Sequence, residues 1–258
     1  MRRILLAAIA LCGIAKTAHA EPGMNLRWDA CFADGGTVNK AFACDTQFGA
    51  DALVLSFVPP TVMDSVNAIE FTLDIVGYHS ASWWQFSPGS VCRPGTIGIT
   101  VDPTRFPSMC STAFVEGCAP SFLAFEDLST ISAGRHRIRG RVLREISPPY
   151  STMHGGGSEL LLAVLYVSHA NPRGCDDCRS PACIGLTQLK LVGPTAARTT
   201  YLHGEVVPGG STVTWQSGVA SSALEPGPTP ATTYRTILCS AAVPARNHTW
   251  GSIKSLYH

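Results

Sequence analysis

The chain has 258 residues, with 19 basic and 18 acidic side chains and a formal net charge of +1. That balance excludes a global signature for nucleic acid or for an anionic membrane. Sparse charge with abundant Gly and Pro suits turn-rich β-structure better than helix, and the length is enough to bury a substantial core without help from disulfides.

Residues 1–20 read as a signal peptide. Arg2 and Arg3 give a positive start, residues 4–14 an apolar run, and residues 17–20 (TAHA) an A-x-A ending, so cleavage falls after Ala20. The run is too short for an anchor, and Leu11 is too bulky to precede a lipidated Cys12. Cleavage removes Arg2, Arg3 and Lys16 and no carboxylate, leaving 16 cations against 18 anions, a net −2. The expected location is therefore periplasmic or extracellular. Residues 160–167 form an apolar run of eight, which is strand length; no later stretch is long enough for a transmembrane segment.

In chain order, residues 53–58 read as a strand stopped by Pro59 and Pro60. Residues 68–76 alternate cleanly, with Ile69, Phe71, Leu73 and Ile75 on one face and Glu70, Thr72 and Asp74 on the other. Residues 98–101 and 138–146 are further candidates. Residues 159–168 are apolar on both faces and belong in the centre of a sheet. Residues 186–192 alternate again, and 201–207 with 211–215 across Pro208-Gly209-Gly210 predict a hairpin. Residues 220–233, rich in Ser, Pro, Thr and Ala, predict a linker or long loop. Residues 236–239 read as a short strand. Residues 249–257 have helical spacing at Trp250, Ile253, Leu256 and Tyr257 behind Thr249 as N-cap. The expectation is an all-β protein: an antiparallel β-sandwich over residues 21–219, of cohesin-like or jelly-roll type. The linker and a segment 234–258 with a short docking helix follow it.

Three segments carry a resemblance: the AIEFTLDI strand at 68–75, the apolar strand at 160–167, and the strands at 184–192 and 210–215. Together they resemble the cohesin-type sandwich, a fold shared with several carbohydrate-binding modules, over roughly residues 50–216. The whole chain is similar to a family of secreted proteins of environmental bacteria to which no activity attaches. That similarity rests on SWWQF at 82–86, the cysteine cluster at 175–183 and the ending TWGSIKSLY at 249–257.

Nine cysteines remain after cleavage: Cys31, Cys44, Cys92, Cys110, Cys118, Cys175, Cys178, Cys183 and Cys239. In an exported chain they read first as disulfides. Cys31 and Cys44 flank the Gly35-Gly36 turn and are expected to pair. Two of Cys92, Cys110 and Cys118 are expected to pair, and Cys175 or Cys178 to close on Cys183. An odd count leaves at least one thiol over. The alternatives for C-x2-C-x4-C are zinc, with His169 as a further ligand, and redox chemistry. Asp176 and Asp177 between the first two sulfurs argue against a reactive dithiol.

Arg135, Arg137, Arg139 and Arg141 recur at every second position, so on a strand they share one face, opposite Ile138 and Val142. Stacked guanidiniums need cross-strand carboxylates, solvent or an anionic ligand. In the SWWQF stretch, strand alternation would bury one of Trp83 and Trp84 and leave the other exposed as a platform for a sugar ring. No G-x-S-x-G, H-E-x-x-H, P-loop or EF-hand pattern is present, so no catalytic residue, metal site or cofactor is assigned. The leading expectation is a secreted, disulfide-stabilised, non-catalytic binding module for a glycan or a surface protein, with no nucleic-acid partner. Its contact residues are Trp83, Trp84 and the four arginines. The alternatives are a cross-linking envelope protein and an enzyme whose site the sequence does not display.

Overall fold

The computed structural model describes residues 22–241 apart from 43, 61–62, 78–81, 91, 103, 105–109, 115–117, 129–133, 146–150, 154–156, 172–173 and 226–233. The expected signal peptide and C-terminal helix lie outside the described residues. Within them the protein is mostly β, as its composition predicts. No helix among the described residues is long and apolar enough to cross a membrane.

One sheet runs in the order β1 (Gly23–Trp28), β3 (Ala50–Val58), β11 (Leu160–Ser168) and β6 (Ile97–Thr100), with β7 (Ser111–Thr112) parallel to β11. The larger sheet runs β2 (Asn39–Lys40), β14 (Thr212–Trp215), β12 (Ala182–Val192), β5 (Ala68–Gly77), β9 (Arg135–Arg144) and β8 (Cys118–Asp127). A short β13 (Thr200–Leu202) also pairs with β12. Two small antiparallel pairs complete the fold, β4 (Met63–Val66) with β10 (Ser151–Met153), and β15 (Gly218–Glu225) with β16 (Tyr234–Ala241).

One hydrophobic cluster draws on both large sheets. From the first come Leu26, Leu55 and Leu165; from the second, Phe71, Leu73 and Leu189. Trp215 sits among other rings, its centroid 5.4 Å from Trp84, 5.5 Å from Phe42 and 5.8 Å from Trp28. The alternation of β5 is realised: Ile69, Phe71, Leu73 and Ile75 are buried in this core. β11 is buried on both faces because Ala163, Leu165 and Val167 join the main core while Leu161 and Val164 pack on the other side in a second small cluster with Cys31 and Val54.

Two expectations need correction. The predicted hairpin of 201–207 and 211–215 does not form. β13 and β14 both pair with β12, at Leu189–Leu191 and at Ala182–Gly185 respectively. An eleven-residue strand has edge enough for both, and the chain between them turns to β1, where Met24 and Leu26 donate to the carbonyls of Gly204 and Gly210. Residues 220–225, predicted to open a linker, belong instead to β15, in register with β16 from Gly218↔Ala241 to Glu225↔Tyr234. Small residues and serines dominated that stretch, but an adjacent partner strand is enough to order it.

Candidate functional site: the arginine face

Each arginine of the ladder lands where the period-two reading puts it. β9 pairs with β5 so that Arg137 stands opposite Asp74, Arg139 opposite Thr72 and Arg141 opposite Glu70, while Ile138 and Val142 are buried on the other side. Partners directly opposite in an antiparallel pair share a face. The outer face of the larger sheet therefore carries Arg135, Arg137, Arg139, Arg141 and, on β12, Lys190.

Among the described residues, three carboxylates answer these five cations. Asp74 accepts from Arg135 Nη2 at 2.9 Å, and from Arg137 Nε at 2.6 Å and Nη2 at 2.9 Å. Bidentate contact of this kind is the geometry guanidinium favours. Asp74 is 0% exposed although it stands on the outer face, between these guanidiniums and Gly185, on which Ile237 of the hairpin lies. Arg139 Nε lies 3.2 Å from Glu126, whereas Glu70 is shared between Arg141 at 3.5 Å and Lys190 at 3.0 Å. Among the described residues the face keeps two cations in excess, and the Arg139 side chain is 51% exposed.

Two bulges shape this face. In β8 the register shifts between Pro120 and Phe122. In unbroken register Ser121 would take the place opposite Arg141 and Phe122 would face inward opposite Gly140; with Ser121 bulged out, Phe122 stands opposite Arg141 on the outside, and Leu123 and Phe125 turn to the core. Proline lacks a donor, and a bulge on an edge strand tolerates it. In β12 the extra residue is Thr187, whose Oγ1 donates to the Thr72 carbonyl at 3.2 Å. The result is a groove of about 690 Å³ between the ladder and the β15–β16 hairpin. Arg139, Thr72, Gln188 and Thr236 line it beside the ring of Phe122, which is 46% exposed. The hairpin closes its far side because Ile237 lies on Gly185, where a Cβ would come within 2.3 Å of the Ile237 side chain.

The tryptophans are not part of this face. Residues 82–84 form a 3-10 turn, so neighbouring side chains do not alternate, and Trp83 and Trp84 are both buried. The expectation of one exposed indole platform is thus corrected. Trp83 is covered by Arg93, whose guanidinium lies 3.6 Å from the ring centroid and donates to the carbonyls of Trp83, Ala170 and Ser168.

The cysteines pair, but not with the expected partners. The bridges are Cys31–Cys110, Cys44–Cys178, Cys92–Cys175 and Cys183–Cys239. None of the three cysteines in 175–183 closes on another: each reaches to a different part of the chain, so the segment is a hub that fastens three distant elements to the start of β12. Cys31 and Cys44 take separate partners, and the turn between them is closed by the amides of Asp34 and Gly36 donating to Cys31 O. His169 stands apart, its Nε2 2.9 Å from Asp51 and its Nδ1 2.8 Å from Phe48 O. Cys31, Asp34 and Cys110 approach one another as metal ligands would, but two of them are joined by a disulfide. The odd thiol is Cys118, half-buried at the start of β8, and burial raises its pKa.

No family model matches the chain, and no curated protein matches it. Phe122, the exposed ring in the groove, was missed because Pro120 interrupts the strand 118–127 near its start. The signal lay in the alternation of Phe122, Ala124 and Glu126 after the Pro-Ser pair.

Proposed function

We propose that the protein is a secreted, non-catalytic binding module with a cohesin-like or carbohydrate-binding-module-like sandwich fold, and that its arginine face holds an anionic glycan. The observation that carries this reading is the excess, among the described residues, of two cations over carboxylates on a grooved sheet face next to an exposed phenylalanine. Guanidiniums recognise carboxylate or sulfate groups with paired N–H donors. An aromatic ring stacks on the C–H face of a sugar, and threonine and glutamine side chains suit its hydroxyls. A groove between a ladder and a strap fits a chain, whereas a protein partner of ordinary affinity needs a surface of about 800 Å².

The disulfides support export, since bridges persist in oxidising compartments. They also weigh against a cross-linking role. Eight of the nine mature cysteines are bridged within the chain, so links between chains would rest on Cys118 alone.

Affinity electrophoresis through gels containing polygalacturonate or neutral dextran tests the reading. Retardation by the acidic polymer only, lost in Arg139→Gln and weakened in Phe122→Ala, is the expected result. Equal mobility in both gels would refute it.

A further inference from the structure

β8 ends the larger sheet, and among the described residues no strand pairs with its free edge. Leu123 and Phe125 of this strand turn to the core, yet both remain only partly buried. On the outer face Phe122 is 46% exposed, and Ala124 stands opposite Arg139. Core-facing residues left half covered beside unpaired backbone groups are the mark of an edge that can take one more strand. The open stretch is bounded, because Pro120 and the bulged Ser121 interrupt the edge before Phe122.

We propose that the added strand is β8 of a second copy, paired antiparallel about a twofold axis at Ala124. Antiparallel partners directly opposite share a face, so outer residues must meet outer ones. Centring on Ala124 satisfies this: Phe122 meets Glu126 of the second copy, Leu123 meets its Phe125, and the two Ala124 residues meet on the axis. The core of each sandwich then runs on through Leu123 and Phe125. On the axis, where identical side chains must face each other, stands a small one. A twofold contact closes on itself, so the edge is capped and does not grow further. Five residues from each copy make a small interface, and the dimer is therefore weak and reversible.

Pairing would enlarge the arginine face. The twofold axis of an antiparallel pair is normal to the sheet, so both outer faces look the same way. Across the seam stand Arg139, Ala124, and then Ala124 and Arg139 of the second copy. The two arginines are three strand spacings apart, about 14 Å. A guanidinium holds a carboxylate whichever way a chain runs, so one acidic chain can engage both copies. Such bivalent contact favours a chain long enough to cross the seam over a short one. The pairing stands by itself; the bivalent contact rests on the reading of the groove as an anionic-glycan site.

Sedimentation velocity of the mature protein over a concentration series, with Ala124→Lys beside it, tests the pairing. Ala124 is not among the residues that line the groove. A lysine there leaves the core of the monomer untouched and sets two ammonium groups against each other on the axis. The native protein should show a reversible monomer–dimer equilibrium that alkylation of Cys118 does not change, because Cys118 lies outside the paired stretch. Ala124→Lys should weaken the dimer about tenfold or more. Amide exchange over residues 122–126 should slow with protein concentration in the native protein only. A native protein that is monomeric throughout, a dimer that needs an intermolecular disulfide, or one that survives in Ala124→Lys would overturn the pairing. The gain in affinity from trigalacturonate to a long oligogalacturonate should be larger in the native protein than in Ala124→Lys; an equal gain in both would overturn the bivalent contact. A dimer that binds neither sugar would remove the groove reading and leave the pairing, whereas a monomer that binds both would remove the pairing and leave the groove.

Discussion

The Arg93 guanidinium carbon lies 3.6 Å from the Trp83 ring centroid, and the side chain is fully buried there with no carboxylate among the described residues paired to it. Three backbone carbonyls and the π-face take the place of a counter-charge. Burial pushes its pKa down to about 9, which still leaves it charged at neutral pH. Arg93→Met leaves those carbonyls without donors, so it should destabilise the fold by about 3 kcal/mol. Arg93→Lys should recover little, because one ammonium cannot reproduce the fork. Urea denaturation of the three proteins checks both statements. The folded pKa lies below the unfolded value, so the unfolded chain binds more protons between the two; native stability should rise with pH above about 9.

Glu205 gives the opposite end of the pH range. Burial alone would raise its pKa, but Ser211, Arg235 and the amides of Gly209 and Ser211 together hold it below the usual carboxylate range. The unfolded chain therefore takes up its proton first as pH falls. The stabilisation is complete above the unfolded pKa of about 4.5 and is lost as pH drops through the folded value. Glu205→Gln should lower the melting temperature at pH 7 and flatten its fall below pH 4.5. A parallel acid profile for variant and native protein would remove Glu205 from the explanation.

The bridge between Cys183 and Cys239 spans 56 residues and fastens the β15–β16 hairpin over the larger sheet. In the chain-entropy model such a loop contributes about 4 kcal/mol. Replacing both cysteines by serine should raise the hydrogen-exchange rates of β15 and β16 while β5, β12 and β11 keep their protection. Loss of protection throughout would mean that the hairpin is an integral part of the core.

Cys118 should be the one cysteine of the mature, unreduced protein to take up iodoacetamide. With its thiol pKa raised by burial it should react slowly at pH 7 and faster as pH rises. Tryptic mapping of the alkylated protein reads both the site and the four bridges.

Much of this architecture was legible in the sequence, because period-two alternation reports directly on which face of a strand is buried. β5 and the arginine ladder of β9 follow it residue by residue. The carboxylates that answer the ladder, Asp74 and Glu70, were already placed on the polar face of their own strand; only the pairing of β5 with β9 was hidden. What periodicity does not carry is long-range partnership. The cysteines at 175, 178 and 183 are close in sequence, yet their partners lie 83, 134 and 56 residues away. Bulges were hidden for a related reason: one extra residue at Ser121 inverts the faces of everything after it, so Phe122 reaches the groove only through a register that its partner strand defines. The reading of Trp83 and Trp84 failed because alternation was assumed for a segment that forms a 3-10 turn.

The central claim is that Arg139 and its neighbours hold an acidic sugar chain. An isothermal titration of the native protein and of Arg139→Gln with oligogalacturonate, at 50 mM and 300 mM NaCl, tests it most directly; the Debye length falls over that range from about 14 Å to about 6 Å. The account predicts saturable binding by the native protein, weakened by salt, and a loss of about tenfold or more in Arg139→Gln at the lower salt. Binding that is indifferent to both the salt and the substitution, or no binding by the native protein at all, would contradict it.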